Sequence, residues 1–154
     1  MAASKSPEQT FHDLTEINGP VSESDLAAVF DQLPPVTAAS MLGKWKGGSF
    51  DTGHPTHKIL DTVAWAGKDF RSEDDVDPIM IWDGQGQRTW LSEYGHARLR
   101  DVQFRGIVSV AMIYDKFPII DQFRRVSDNV VMGAMDNKDL KDSGTYFFYL
   151  AKLE

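Results

Sequence analysis

The 154 residues carry 16 Lys and Arg against 23 Asp and Glu, a formal charge of −7, and no basic run interrupts that acidity, which sets aside a nucleic-acid partner. The absence of cysteine excludes disulfide frameworks and thiolate metal sites. An apolar share of 42% with 11% aromatics suits one ordinary globular core. The opening residues lack a signal-peptide core, and no apolar stretch approaches the roughly 18 residues of a membrane helix. The expectation is one soluble domain in the cytoplasm, with no membrane span.

In chain order, residues 1–20 are polar and mixed, end in Asn18-Gly19-Pro20, and read as a flexible arm, leaving 21–154 as the domain. Ser22-Glu23-Ser24-Asp25 has the form of a capping box. Leu26, Val29, Phe30 and Leu33 follow at helical spacing, and Pro34-Pro35 stops the helix. Residues 37–42 add one further turn before Gly43-Lys44-Trp45-Lys46-Gly47, where a bulky indole sits between glycines at the entry to a strand. Pro55 suits the first position of a second helix carrying Ile59, Leu60 and Val63, which Trp65 ends and Gly67 stops. From Ile79 the period changes to two. Strands at 79–82 and 88–91 flank the hairpin turn Asp83-Gly84-Gln85-Gly86. Further strands are predicted at 97–104, 107–114, 119–127, 130–137 and 145–153. Many short strands with turns between them argue an antiparallel sheet, closed as a barrel or folded as a sandwich.

Residues 43–55, GKWKGGSFDTGHP, continue through Trp65-Ala66-Gly67-Lys68 to Asp77-Pro78, and this stretch closely resembles the GXWXG protein family. The second half resembles the domain of unknown function that usually follows it, through Gly95-His96-Ala97-Arg98-Leu99-Arg100, Met112-Ile113-Tyr114-Asp115, Pro118-Ile119-Ile120-Asp121-Gln122-Phe123-Arg124 and Gly133-Ala134-Met135-Asp136-Asn137-Lys138. The first part spans about 38–95 and the second about 96–154. Ala66 departs from the pattern, standing where an aromatic is expected beside Trp65. The resemblance implies a mainly β, lipocalin-like antiparallel β-barrel with one or two helices in the N-terminal half. By the same resemblance the interior holds small hydrophobic molecules, some relatives being enzymes, and Trp45 closes one end beneath a Lys or Arg.

His54 leads the candidates for chemistry, since an imidazole both takes and gives a proton near neutral pH. The competing reading is that it caps the helix starting at Pro55. A metal pair with His57 lacks both the usual i, i+4 spacing and a third ligand. Tyr114, Asp115 and Asp121 form a second cluster, in which a buried carboxyl would have a raised pKa and could serve as partner to His54. The plainer reading makes these turn acids paired with Arg124 or Arg105. Alternation in 130–138 puts Val130, Met132, Ala134 and Asp136 on one face. If that face points inward, Asp136 needs an arginine, with Arg98, Arg100 and Arg105 at hand. Gly67-Lys68-Asp69 is polar, so Lys68 reads as a solvated lysine. Met132, Phe147 and Trp65 are expected lining residues.

The function these readings favour is a barrel binding a small hydrophobic molecule or lipid, extending to cofactor-free acid/base catalysis as an isomerase, cyclase or lyase. His54, Asp115, Asp121 and Arg105 would be the catalytic set, and Tyr114, Met132, Asp136, Phe147 and Trp65 the ligand contacts. No metal or cofactor is implied, and a homodimer is compatible with the sequence. The alternatives are a hydrophobic-ligand carrier without turnover and an interaction module with a filled core.

Overall fold

The computed structural model describes residues 5–153. Four α-helices are found there, α1 (Pro7–Thr15), α2 (Glu23–Gln32), α3 (Ala38–Met41) and α4 (Pro55–Thr62). The nine strands are β1 (Gly43–Ser49), β2 (Trp65–Ser72), β3 (Asp75–Trp82), β4 (Arg88–Trp90), β5 (Ala97–Phe104), β6 (Ile107–Tyr114), β7 (Ile119–Ser127), β8 (Val130–Asn137) and β9 (Tyr146–Lys152). Short 3-10 segments at Ser92–Tyr94 and Lys138–Ser143 complete the inventory.

The strands form one antiparallel sheet in the order β2-β1-β9-β8-β7-β6-β5-β3-β4, and an additional β2–β3 pairing closes eight of them into a ring. Closure pairs the edges of these eight strands, which would otherwise template aggregation, and leaves the short β4 outside the ring. One side of β3 is shared: Val76 meets Ala97 of β5, while Met80 to Trp82 pair with β4. The sheet is thus mainly β and antiparallel, as expected. The strand β2 was not anticipated. Its residues Trp-Ala-Gly-Lys-Asp-Phe-Arg-Ser lack apolar alternation, and its register against β3 shifts three times.

Strand alternation sorts the apolar side chains into two cores. Trp45, Phe70, Leu99, Met112, Phe123, Val131, Phe148 and Leu150 pack inside the ring. Phe11, Leu26, Val29, Phe30, Met132, Ala134 and Phe147 pack between the outer face of the sheet and the helices α1 and α2. The strands β7, β8 and β9 are therefore buried on both faces over much of their length. Arg124 joins the layers. Its guanidinium lies 4.6 Å from the centre of the Phe30 ring and donates to the carbonyls of Phe30, Leu33 and Phe104, each at 3.1 Å. A cation set on the last carbonyls of α2 suits the negative end of that helix.

One end of the ring is plugged. The Trp45 indole is 1% exposed, donates from Nε1 to the Met41 carbonyl at 2.8 Å, and lies beneath Lys152 Nζ at 5.6 Å. Glycine is required where β2 crosses this strand. Gly67 has φ +137°, and a Cβ there would fall 1.9 Å from the Trp45 carbonyl oxygen. Gly47 admits the Trp65 ring, which would lie 2.5 Å from an added Cβ.

The N-terminal stretch corrects the expected loose arm. Ser6 accepts from Gln9 N, and the Gln9 side chain accepts from Ser6 N, so a complete capping box starts α1. Phe11 is 1% exposed and meets Phe50 and Tyr149 edge to face. Residues 1–4 of that arm lie outside the described residues. No helix among the described residues is long and apolar enough to cross a membrane. Phe11→Ala is expected to lower unfolding free energy by about 3–5 kcal/mol, read from urea denaturation; an unchanged midpoint would mean that α1 does not dock.

Candidate functional site

The half of the ring beyond Phe70 and Phe123 is open, and it holds a cavity of about 110 Å³. Its wall is mostly apolar. The helix α4 contributes Thr56, Ile59 and Leu60, and Tyr94, Ile119, Asn137 and Leu140 lie around the mouth. The helix starts where it does because His54 caps it, Nδ1 accepting from Thr56 N at 3.1 Å, with Pro55 in the first turn.

Two charged side chains form the floor. Lys68 projects from β2 and Asp121 from β7, which stand four places apart around the ring of eight and so face each other across the interior. Nζ and Oδ2 are 3.0 Å apart, with side-chain exposures of 2% and 3%. Lys68 Nζ also donates to the Pro78 carbonyl at 3.0 Å and makes a long contact of 3.5 Å with the Tyr114 hydroxyl. The rings of Phe148, Trp65 and Tyr114 surround the ammonium at 5.2, 5.6 and 5.6 Å. Asp121 Oδ1 is buried and has no hydrogen-bond partner among the described residues.

Burial pushes the Asp121 carboxyl up and the Lys68 amine down, while each charge partly offsets the shift of the other. The Tyr114 hydroxyl is driven well above its ordinary value, first by burial and then by the Asp121 charge. Desolvation dominates all three. A carboxylate with a raised pKa is a stronger base than one in water, and here it belongs to a residue that lines an apolar space.

The sequence-derived candidates divide into two sets. Asp121, Tyr114 and Trp65 line the cavity together. His54 is 4% exposed, serves as the cap of α4 and packs 5.6 Å from the Tyr146 ring without lining the cavity itself. Asp115 sits in the turn after β6, half exposed, 3.4 Å from Arg98. Arg105 lies in the β5–β6 turn, at the end of β6 opposite Tyr114, and pairs with Asp31 of α2 through contacts of 2.6 and 2.8 Å. Its role is to tie α2 to the sheet. Met132 and Phe147 belong to the helix-covered core, because the face of β8 and β9 they share points outward. Asp136 is on that same outward face and is exposed. The alternation in β8 is thus as predicted, while the inward residues are Val131, Gly133 and Met135.

Lys68 is the residue sequence reasoning misplaced, buried rather than solvated. No local signal marks it; only the ring turns that position of β2 inward. Tyr146 was missed as a cavity residue. Its hydroxyl is 2.5 Å from Ser49 Oγ, which lies 2.7 Å from His57 Nδ1. The described residues contain no cluster of three or more His, Asp or Glu side chains arranged to hold a metal ion.

These features define a small β-ring protein with a half-filled interior and a charged floor. The chain belongs to the GXWXG protein family, which matches residues 28–86, and it carries the Domain of unknown function (DUF4334) at residues 95–152. A crystal structure of a protein from Thermomonospora curvata is similar, with 39% identity, a TM-score of 0.89, and coverage of 96% of this chain and 99% of that one. Comparison with curated proteins gives no match.

Two outcomes test the site. Removing one member of a buried ion pair strands the other, so Lys68→Met is expected to cost about 3–5 kcal/mol, with much of that recovered in the double variant Lys68→Met/Asp121→Leu. A denaturation cycle over the four proteins reads the coupling, and additive losses would show that the two charges act independently. Burial also holds the pKa of His54 below the ordinary histidine value, against the opposing charge of Glu23. The unfolded chain then binds the extra proton first, so this contribution is complete above about pH 6.5 and is lost as pH falls below it. His54→Asn keeps a capping oxygen without the titration. It is expected to flatten the fall in Tm between pH 7 and 5, and an unchanged slope would remove His54 as the source.

Proposed function

We propose that this protein is a lipocalin-like barrel that binds a small, largely apolar molecule and performs cofactor-free acid/base chemistry on it, with Asp121 as the proton acceptor. The observation that carries this reading is the unpartnered Asp121 Oδ1 in the wall of an apolar cavity. A buried ion pair is weak evidence for stability, since well-packed apolar residues of similar volume often serve the fold equally well or better. Keeping Lys68 and Asp121 at the floor of a cavity therefore argues for a use beyond folding.

The roles follow from the contacts. Lys68 holds Oδ2 and leaves Oδ1 without a partner, on a residue that lines the cavity. Asp121 accepts a proton from the bound molecule, and the electron pair left behind moves into the ligand. The Tyr114 hydroxyl donates to the negative charge that develops, in a site poor in water where such a dipole acts strongly, and Lys68 keeps its protons on protein groups. Return of the proton to a second position completes an isomerisation. In this assignment His54 supports α4, the wall of the cavity, instead of acting as the proton carrier.

The carrier reading has support from the lining, which is mostly apolar. The two readings part on proton transfer. Cyclopentanone is a compact neutral carbon acid, and its α-deuterium uptake in heavy water can be followed by NMR. The wild-type protein is expected to accelerate exchange over buffer, and Asp121→Asn, assayed below its own melting midpoint, to lower the rate by about 10²-fold or more. Exchange no faster than in buffer would leave the carrier function; exchange retained in Asp121→Asn would remove Asp121 as the base.

A further inference from the structure

The hydrogen bonds at the cavity floor specify more than an apolar ligand. An ammonium has three protons to give. Those of Lys68 are directed to Pro78 O, Asp121 Oδ2 and the Tyr114 oxygen. The first two are held at 3.0 Å and the third is a long contact of 3.5 Å, so the ammonium is largely taken up by the protein. Tyr114 is 7% exposed and receives from Lys68, and its own proton has no acceptor within hydrogen-bond reach among the described residues. Asp121 Oδ1 lacks a donor. The floor therefore offers one donor and one acceptor, both belonging to groups that touch the same Lys68 nitrogen.

Its charge is equally specific. The Lys68 cation and the Asp121 anion balance within 3.0 Å. A carboxylate or phosphate head would meet Asp121 with no free cation to hold it. An ammonium head would meet Lys68. Burying an unpaired charge in this wall is costly for either. The simplest group that accepts one hydrogen bond, gives one, and carries no charge is a hydroxyl.

We infer that the cavity selects neutral hydroxyl compounds with a compact apolar frame, the hydroxyl oxygen taking the Tyr114 proton and the hydroxyl proton resting on Asp121 Oδ1. The inference rests on the cavity being a ligand site, and it names the class of molecule that site takes. Fatty acids and other anionic lipids are thereby disfavoured. The frame is limited by size. A cavity of about 110 Å³ is smaller than the ~150 Å³ apolar cavities that admit benzene, so a single ring with its hydroxyl enters only as the exposed Ile59 of α4 moves aside.

Three single-ring probes separate the outcomes: phenol, toluene, which replaces the hydroxyl by a methyl of nearly the same size, and the larger, charged benzoate. Binding is read from methyl NMR shifts of Ile59, Leu60 and Ile79, titrated at pH 7. Phenol is expected to bind at least tenfold more tightly than toluene, because toluene leaves both polar groups unpaired, and benzoate to leave the signals unmoved. Tyr114→Phe should bring phenol to within about threefold of toluene while toluene binding persists, which shows that the variant keeps its cavity. Equal affinity for phenol and toluene, or preference for benzoate, would overturn the hydroxyl assignment and leave the cavity as a ligand site. Failure of all three probes to shift these signals would remove both the assignment and the ligand-site reading beneath it.

Discussion

An ion pair spans the interior of this ring. Lys68 and Asp121 reach toward each other from opposite walls, and the space divides at that level. On one side the interior is filled, with Phe70 against Phe123 and Phe123 against Phe148, down to the Trp45 plug. On the other side lies the cavity. Two charges can stand there because each partner compensates the other, a backbone carbonyl takes a further ammonium proton, and three aromatic faces surround the nitrogen. The remaining carboxylate oxygen is the exception, buried with no partner among the described residues.

The glycine-flanked tryptophan contributes to this arrangement from a distance. Trp45 seals the far end under Lys152, while Gly47 of the same motif makes room for the Trp65 ring. Trp65 then lies beside Lys68 and edge-on to Phe148. Gly67, two residues further on, lets β2 pass the Trp45 carbonyl closely enough to pair with β1. A motif whose first effect is structural thus also shapes one wall of the cavity. The outer helices have a separate task, covering β7 to β9 so that these strands are apolar on both faces, with Arg124 and Arg105 fastening α2 in place.

Strands with regular alternation were legible: β5, β6, β7 and β8 begin and end where the pattern of two predicts. So were the starts of α2 and α4, where Ser22 and the His54-Pro55 pair act through local chemistry. What escaped was the sense of the alternation. In β8 the sequence separates two faces without stating which one is inward, because both are apolar and both are buried. That ambiguity moved Met132, Phe147 and Asp136 into the expected lining. In α1 the apolar content is sparse, and Phe11 gains its importance from a partner surface more than thirty residues away.

The sequence by itself determined the class of fold, through strand spacing and turns, and the family, through Gly43 to Pro55. It also marked Asp121, Tyr114 and Trp65 as residues to examine. Only the tertiary structure joined Asp121 to Lys68, because the pairing depends on ring closure between strands that are far apart in the chain. It likewise separated His54 and Arg105 from the cavity. Local propensity acts over a few residues, whereas the meeting of two charges across an interior depends on the register of every strand between them.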